Sequence, residues 1–274
     1  MIRLDLLCPG FALLLGAATA LPAQARPAST NNVAVLGDFP VVEFRRYTIK
    51  PGMRVQFGRY FETLFPEAFQ QLGSIAAGSF LVRGDSTGFT WIRGYHTIES
   101  RAVINAAFYY GPVWREHKAT LNALIDDSDN VLLMRALAVD QAVTILPAVD
   151  PVTEPKGAQG IVVAVLCTLK AGITDSFARA AALVFEKYRA AGARPAGTLV
   201  TVDVTNNFPQ LPVRTDGPYL LWLGVLKDEA ALASFRKVAD QSMSALQATG
   251  MTRLAPELIV LDPTPRSRLR WLDN

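Results

Sequence analysis

Thr48-Ile49-Lys50-Pro51-Gly52 returns later in the chain as Thr168-Leu169-Lys170-Ala171-Gly172, an offset of 120 residues. In both places an apolar run with strand character precedes the motif and an amphipathic helical run follows it. A period this long marks two copies of a whole domain rather than a solenoid of small units. Val41 to Lys50 is rich in β-branched and aromatic residues and reads as a first strand, broken by Pro51-Gly52. Met53 to Leu72 carries Val55, Phe57, Tyr60, Phe61, Leu64, Phe65 and Phe69 near helical period, and Gly73 stops it. Ser79 to Arg83 and Phe89 to His96 are strands joined by the turn residues Gly84-Asp85-Ser86-Thr87-Gly88. Glu99 starts a second helix, which Gly111-Pro112 interrupts, and Val131 to Leu137 is a fourth strand.

The second half repeats this order. Gly160 to Lys170, Thr198 to Val204, Tyr219 to Lys227 and Leu258 to Leu261 read as strands, with helices over Ser176 to Ala190 and Glu229 to Ala248. Thr205 to Pro218 is a Pro- and Asn-rich loop about ten residues longer than its counterpart. The βαββαβ order is the ferredoxin-like unit. One face of its sheet lies under two helices and the other needs a cover, which a tandem copy supplies. The fold class is therefore α+β: two tandem ferredoxin-like repeats forming an intrachain α+β barrel-like sandwich. The expected domains are 40–137 and 160–262, with linkers at 26–39 and 138–159 and a basic tail at 263–274. Arg266, Arg268 and Arg270 make that tail read as a solvated terminus.

Half of the 274 residues are hydrophobic and 19% are charged, a globular composition, with a net charge of only +3. Nucleic-acid binding would need a basic face and a recognisable module, and neither is present. Residues 1–25 read as an export signal: Arg3, then the apolar run Phe11 to Leu21, then the Ala23-Gln24-Ala25 cleavage site. Pro9-Gly10 leaves that run short of the ~20 residues a spanning helix needs. The expectation is cleavage after Ala25 and a periplasmic or secreted protein, with membrane contact only through an uncleaved signal or the basic tail. Cleavage leaves a single cysteine, Cys167, within the apolar run Ile161 to Leu169, so it reads as a buried thiol and no intrachain disulfide can form.

Three segments together, Glu43-Phe-Arg45-Arg-Tyr47-Thr-Ile-Lys-Pro51-Gly52, Gly94-Tyr95-His-Thr-Ile-Glu99-Ser-Arg101-Ala and Gly111-Pro112-Val-Trp114, resemble the NIPSNAP family. The resemblance covers residues 40 to 137 well and 160 to 262 more loosely. It implies a dimeric α+β barrel type of fold, a group that includes cofactor-light monooxygenases and haem-degrading enzymes. Better-known relatives are mitochondrial and act through protein partners; this chain departs from them in its export-type leader.

Residues two apart on a strand share a face, so Glu43, Arg45 and Tyr47 point one way. Their counterparts at the 120-residue offset are Val163, Val165 and Cys167. One copy keeps polar groups where the other keeps packing, and this asymmetry marks the candidate ligand site. Trp91, Arg93 and Tyr95 share a face of the third strand and join it, as do Tyr109 and Trp114 at the helix break. An internal ion pair, Glu43–Arg45 or Glu43–Arg93 capped by Tyr47, is the structural alternative. The polar set is expected in the space between the two sheets. His96 and His117 have no zinc spacing. No cofactor is expected, and haem stays open because an axial ligand needs one histidine. The leading expectation is an exported, non-enzymatic binding or interaction module with a small apolar pocket between the sheets, for a small apolar ligand or a protein partner. The alternative, by analogy with α+β barrels, is a cofactor-independent or haem-dependent monooxygenase or isomerase. A self-associating structural module is a third.

Overall fold

The computed structural model describes residues 39–273, so the leader and most of the first linker lie outside the described residues. In the first half, β1 (Val41–Ile49), α1 (Arg54–Gln71), β2 (Ile75–Val82), β3 (Gly88–Tyr95), α2 (Ile98–Tyr109), α3 (Pro112–Leu124) and β4 (Ile125–Ala136) follow one another. In the second, β5 (Ile161–Thr168), α4 (Thr174–Ala190), β6 (Arg194–Thr201), β7 (Tyr219–Leu226), α5 (Glu229–Ala248) and β8 (Glu257–Pro263) do. The strands close into a barrel in the order β1-β3-β2-β8-β5-β7-β6-β4. Each half contributes the ferredoxin-like order, and antiparallel β2–β8 and β4–β6 pairs seal the two seams.

The repeated turn is built alike in both copies. Gly52 and Gly172 both have φ near +75°, 78° and 74° respectively, where any Cβ is strained. Ile49 N donates to Thr87 O, and Leu169 N to Pro218 O, both at 2.9 Å or less. Lys50 N and Lys170 N donate to Leu124 O and Met251 O, each the residue where the last helix of its half gives way to the chain leading into the final strand. The second copy keeps this geometry although alanine has replaced the proline.

Two strands depart from the sequence expectation for one reason. β2 begins at Ile75 rather than Ser79, and β6 at Arg194 rather than Thr198. Each opens with a register shift, between Ala76 and Gly78 and between Pro195 and Gly197. The small, Gly- and Pro-containing starts lack β-propensity, and the bulge that needs them hides the strand. β4 begins at Ile125 rather than Val131: its polar first half pairs Thr48 with Asp127 beyond the barrel wall.

Alternate residues of every strand fill the barrel. Val42, Phe44, Ile92, Leu132, Met134, Val162, Ala164, Leu166, Leu221 and Leu223 form its interior cluster. The residues between them face the helices, Val163, Val165 and Cys167 under α4 and α5. This corrects the placement of Glu43, Arg45 and Tyr47, which lie not between the sheets but between the first sheet and α1–α3. Both faces of a barrel strand are covered, so period-two alternation could not say which face was inside.

The expectation of a solvated tail is also corrected. Leu269 is 1% exposed and belongs to the interior cluster. Arg270 donates to Glu154 and to Pro147 O. The 138–159 linker enters the interior from its own side through Val143 and Ile145. No helix among the described residues is long and apolar enough to cross a membrane.

Candidate functional site

α1 lays Phe57, Phe61, Phe65 and Phe69 at four-residue spacing along the face it turns to the sheet, and all are at most 3% exposed. They meet Trp91 and Phe89 of β3 and Phe108 of α2. α2 ends at Tyr109; Gly111 caps α3 at a point where a Cβ would meet Ala107 O at 2.2 Å, and Pro112 takes the first position of α3, where its missing N–H costs nothing. The resulting bend folds α3 back so that Trp114 and Leu121 face the same phenylalanines. A cavity of about 120 Å³ is left in this aromatic layer. Arg45, Tyr47, Trp91, Tyr109 and Trp114 line it with the α1 phenylalanines, Asn122 and Ser128.

Beneath the cavity floor Glu43 is fully buried and holds three arginines. Its Oε2 accepts from Arg45 Nη1 at 2.8 Å and from Arg93 Nη2 at 2.6 Å and Nε at 3.0 Å. Its Oε1 accepts from Arg101 Nε at 2.7 Å. β-Pairing sets Glu43 opposite Arg93 and Arg45 opposite Trp91, while Arg101 comes down from the first turn of α2. Burial alone would raise the Glu43 carboxyl's pKa, but the attraction of Arg93, Arg45 and Arg101 more than reverses this and holds it well below the carboxylate range. No second carboxylate pairs with any of the three arginines among the described residues.

Other groups share the rest of the positive charge. Arg93 Cζ lies 5.0 to 5.9 Å from the ring centroids of Phe69, Trp91, Tyr95 and Tyr109, within cation–π range. Arg101 Nη1 donates to the side-chain oxygens of Asn206 at 3.0 Å and Asn207 at 2.8 Å. Arg45 Nε donates to Tyr47 Oη at 3.1 Å. Burial pushes the Tyr47 hydroxyl above its ordinary pKa, and pushes that of Tyr95 well above it, so both stay neutral near pH 7. The Tyr95 hydroxyl donates to Asn105 Oδ1 at 2.8 Å. Among the described residues Trp91 Nε1, Arg93 Nη1 and Arg101 Nη2 are buried without a hydrogen-bond partner.

All eight sequence candidates thus fall in one layer. Arg45, Tyr47, Trp91, Tyr109 and Trp114 line the cavity; Glu43, Arg93 and Tyr95 lie beneath it. Sequence reasoning missed Arg101, although Glu99-Ser-Arg101 belongs to the family-like motif, and it missed Asn105, Asn206, Asn207 and Leu211. The long loop between β6 and β7 comes from the other repeat and closes over this one. Phe208 stacks on Tyr109 at 6.1 Å, and Leu211 lines the cavity. The extra length was visible, but nothing in the sequence told where the loop lands.

The second half has no such site. Val163 stands opposite Gly224 and Val165 opposite Trp222, so the Trp recurs while Glu43 and Arg93 do not. Phe185, Tyr188 and Phe235 pack directly on Trp222. Cys167 is fully buried there, and burial pushes its thiol up to about 12, so it is not a nucleophile.

Neither histidine reaches the cavity. His96 stacks on Phe39 at 4.4 Å, and His117 Nδ1 lies 2.8 Å from the Tyr60 hydroxyl. Among the described residues no group of three His, Cys, Asp or Glu side chains could hold a metal. The residues present do not fit a haem: no histidine lines the space, and 120 Å³ is room for about one ring, close to the ~150 Å³ cavity that holds benzene, and not for a porphyrin.

Comparison with known proteins agrees with the fold. An anthrone oxidase-like protein matches over 84% of this chain and 94% of its own, at 10% identity and a TM-score of 0.54. A candidate monooxygenase from Lactobacillus acidophilus matches over 82% and 94%, at 12% identity and a TM-score of 0.51. At these identities the likeness concerns the barrel alone. A haem-binding protein from Thermus thermophilus reaches a TM-score of only 0.44, at 11% identity over 84% of this chain and 92% of its own. No curated protein matches. The NIPSNAP family profile matches residues 42–137, the span from the strand that carries Glu43 to the end of β4. The matched segment, residues 42–137, holds Glu43 and its three arginines, and it is this segment that is similar to a NIPSNAP domain.

Proposed function

We propose that the NIPSNAP half binds a small planar ligand in the aromatic cavity, and that the second repeat serves as its structural complement and supplies the covering loop. The observation that carries this is the difference between two copies of one fold. Both tryptophans carry aromatic neighbours, Phe61 and Phe69 on Trp91 and Tyr188, Phe185 and Phe235 on Trp222, but the first copy also leaves a lined space beside its tryptophan. A void in a core costs stability, so a retained one calls for an occupant. The pocket is apolar with a few converging polar groups, the usual make-up of a small-molecule site. Benzyl alcohol, a neutral one-ring probe, is expected to bind saturably and to perturb tryptophan fluorescence, because Trp91 and Trp114 line the space. Leu121→Trp fills the cavity and is expected to abolish the response, at an overpacking cost of about 1–3 kcal/mol. An unchanged response in that variant would place the probe elsewhere.

A second reading, an oxygenase without a bound cofactor, draws support from one feature. Arg45 stands at the cavity wall, where it could stabilise an oxyanion developing on a bound ring. Oxygen uptake with an ionisable ring substrate, lost in Arg45→Met, distinguishes turnover from binding. Export completes the proposal: the native protein is expected to begin at Arg26, and N-terminal sequencing that returns Met1 overturns this.

A further inference from the structure

The cluster beneath the cavity is unbalanced. Three buried guanidiniums share one carboxylate, which leaves two positive charges without a counter-ion. An unpaired buried charge is among the most costly arrangements a protein can hold. All three arginines have partial substitutes for the missing anion: Arg93 is boxed by aromatic faces, Arg101 is met by two asparagine oxygens, and Arg45 Cζ lies 5.3 Å from the Trp91 ring centroid and 5.5 Å from that of Tyr47. Arg45 differs in that it also faces the cavity. Its Nη1 is used by Glu43 and its Nε by the neutral Tyr47, and no hydrogen bond among the described residues uses Nη2. Arg45 is also the charged residue in the cavity wall.

The polar groups beside it have donors left over. Trp91, 2% exposed, keeps an unpartnered Nε1–H. Tyr47 accepts from Arg45, and its own hydroxyl hydrogen has no acceptor among the described residues. A wall with spare donors and a surplus cation suits an oxyanion. The volume, about 120 Å³, is close to the ~150 Å³ cavity that holds benzene in an apolar core.

We infer that the ligand is a ring-bearing monoanion, its oxyanion seated on Arg45 with Tyr47 and Trp91 donating beside it, and its ring among the α1 phenylalanines. This rests on the cavity being a binding site and adds the charge of what it takes. The ligand-free protein is then a receptor short of two negative charges, and the ligand supplies one of them at Arg45.

The test compares benzoate with benzyl alcohol, a neutral probe of the same shape, by calorimetric titration of the full chain. A hydrogen bond to a charged partner is expected to make benzoate bind about 10- to 100-fold tighter. Arg45→Met should bring benzoate to the level of benzyl alcohol measured in the same variant; Trp91→Phe should remove a smaller part of the preference. Equal binding of the two probes by the wild type overturns the anion inference and leaves the cavity reading standing. Binding of neither overturns both. A preference for benzoate that survives Arg45→Met overturns the seat on Arg45. The wild-type comparison needs no variant, so a misfolded mutant does not remove the test.

Discussion

Glu43→Gln is expected to destabilise the protein more than any single substitution among the three arginines it holds. Removing one partner of a buried ion pair costs about 3–5 kcal/mol, because the other charge is left without compensation. Here one carboxylate serves Arg45, Arg93 and Arg101, all at most 1% exposed, so its loss strands three cations at once. The expected cost is about 5 kcal/mol or more, against a total stability of roughly 5–15 kcal/mol for a domain. Arg45→Met is the contrasting case. Glu43 keeps Arg93 and Arg101, and the cluster loses a surplus charge, so the cost is expected to stay below about 2 kcal/mol. The double variant Glu43→Gln/Arg45→Met should recover little, because Arg93 and Arg101 remain without a carboxylate. Urea unfolding of the three variants separates these outcomes, and full rescue by the double variant would show that only the Glu43–Arg45 pair matters. The pH dependence has a definite sign. The Glu43 carboxyl is held below its unfolded value, so its contribution is present above pH ~4.5 and falls by up to about 1.4 kcal/mol per pH unit below that. Glu43→Gln should flatten this acid limb.

The repeat made the fold legible: an offset of 120 residues and two βαββαβ orders led to the closed barrel. The candidate residues were legible as a set, because Glu43, Arg45 and Tyr47 had no polar counterparts in the second copy. Their direction was not. β1 has Val42 and Phe44 on one face and Glu43 and Arg45 on the other, and it is buried on both, so the burial signal that normally separates core from solvent was absent. The better clue lay in α1. Four phenylalanines at four-residue spacing form an aromatic lid, and guanidiniums are stabilised against aromatic faces. Arg101 was hidden for another reason. Its partner Glu43 lies 58 residues away, and only the docking of α2 on β1 and β3 brings the two together. Asn206 and Asn207 reach the site from the other repeat, across a seam that no local pattern encodes.

Loss of the C-terminal segment after Pro263 should cost more stability than its basic, Pro-flanked composition suggests. A solvated tail could be removed within about ±0.5 kcal/mol. This one is a structural closure. Thr264 N donates to Ser79 O at 2.9 Å, and the Ser79 and Thr264 hydroxyls lie 2.6 Å apart. The chain then runs alongside the 138–159 linker: Leu146 N donates to Arg268 O, Ala158 N to Pro265 O and Trp271 N to Gln159 O, all within 3.1 Å. Between these bonds Leu269 enters the barrel and Arg270 takes Glu154 as its carboxylate. Linker and tail therefore close the barrel together, and neither keeps its partners without the other. Leu269→Ala alone is expected to cost about 2–5 kcal/mol through a cavity in the interior. At roughly 2–4 °C per kcal/mol for a chain of this size, that is a Tm loss of about 5–15 °C. Removal of residues 264–274 should exceed this, because it also exposes the interior cluster and leaves Glu154 unpaired; calorimetry should show a broadened transition or none. Arg268→Gln gives the baseline, since among the described residues that side chain makes one hydrogen bond, to Gln70 at 2.9 Å, and burial with Arg270 and Arg266 nearby lowers its pKa. Its removal should be nearly neutral. A truncated chain that melts with the wild type would return the tail to solvent and leave the barrel interior sealed by side chains of the strands alone.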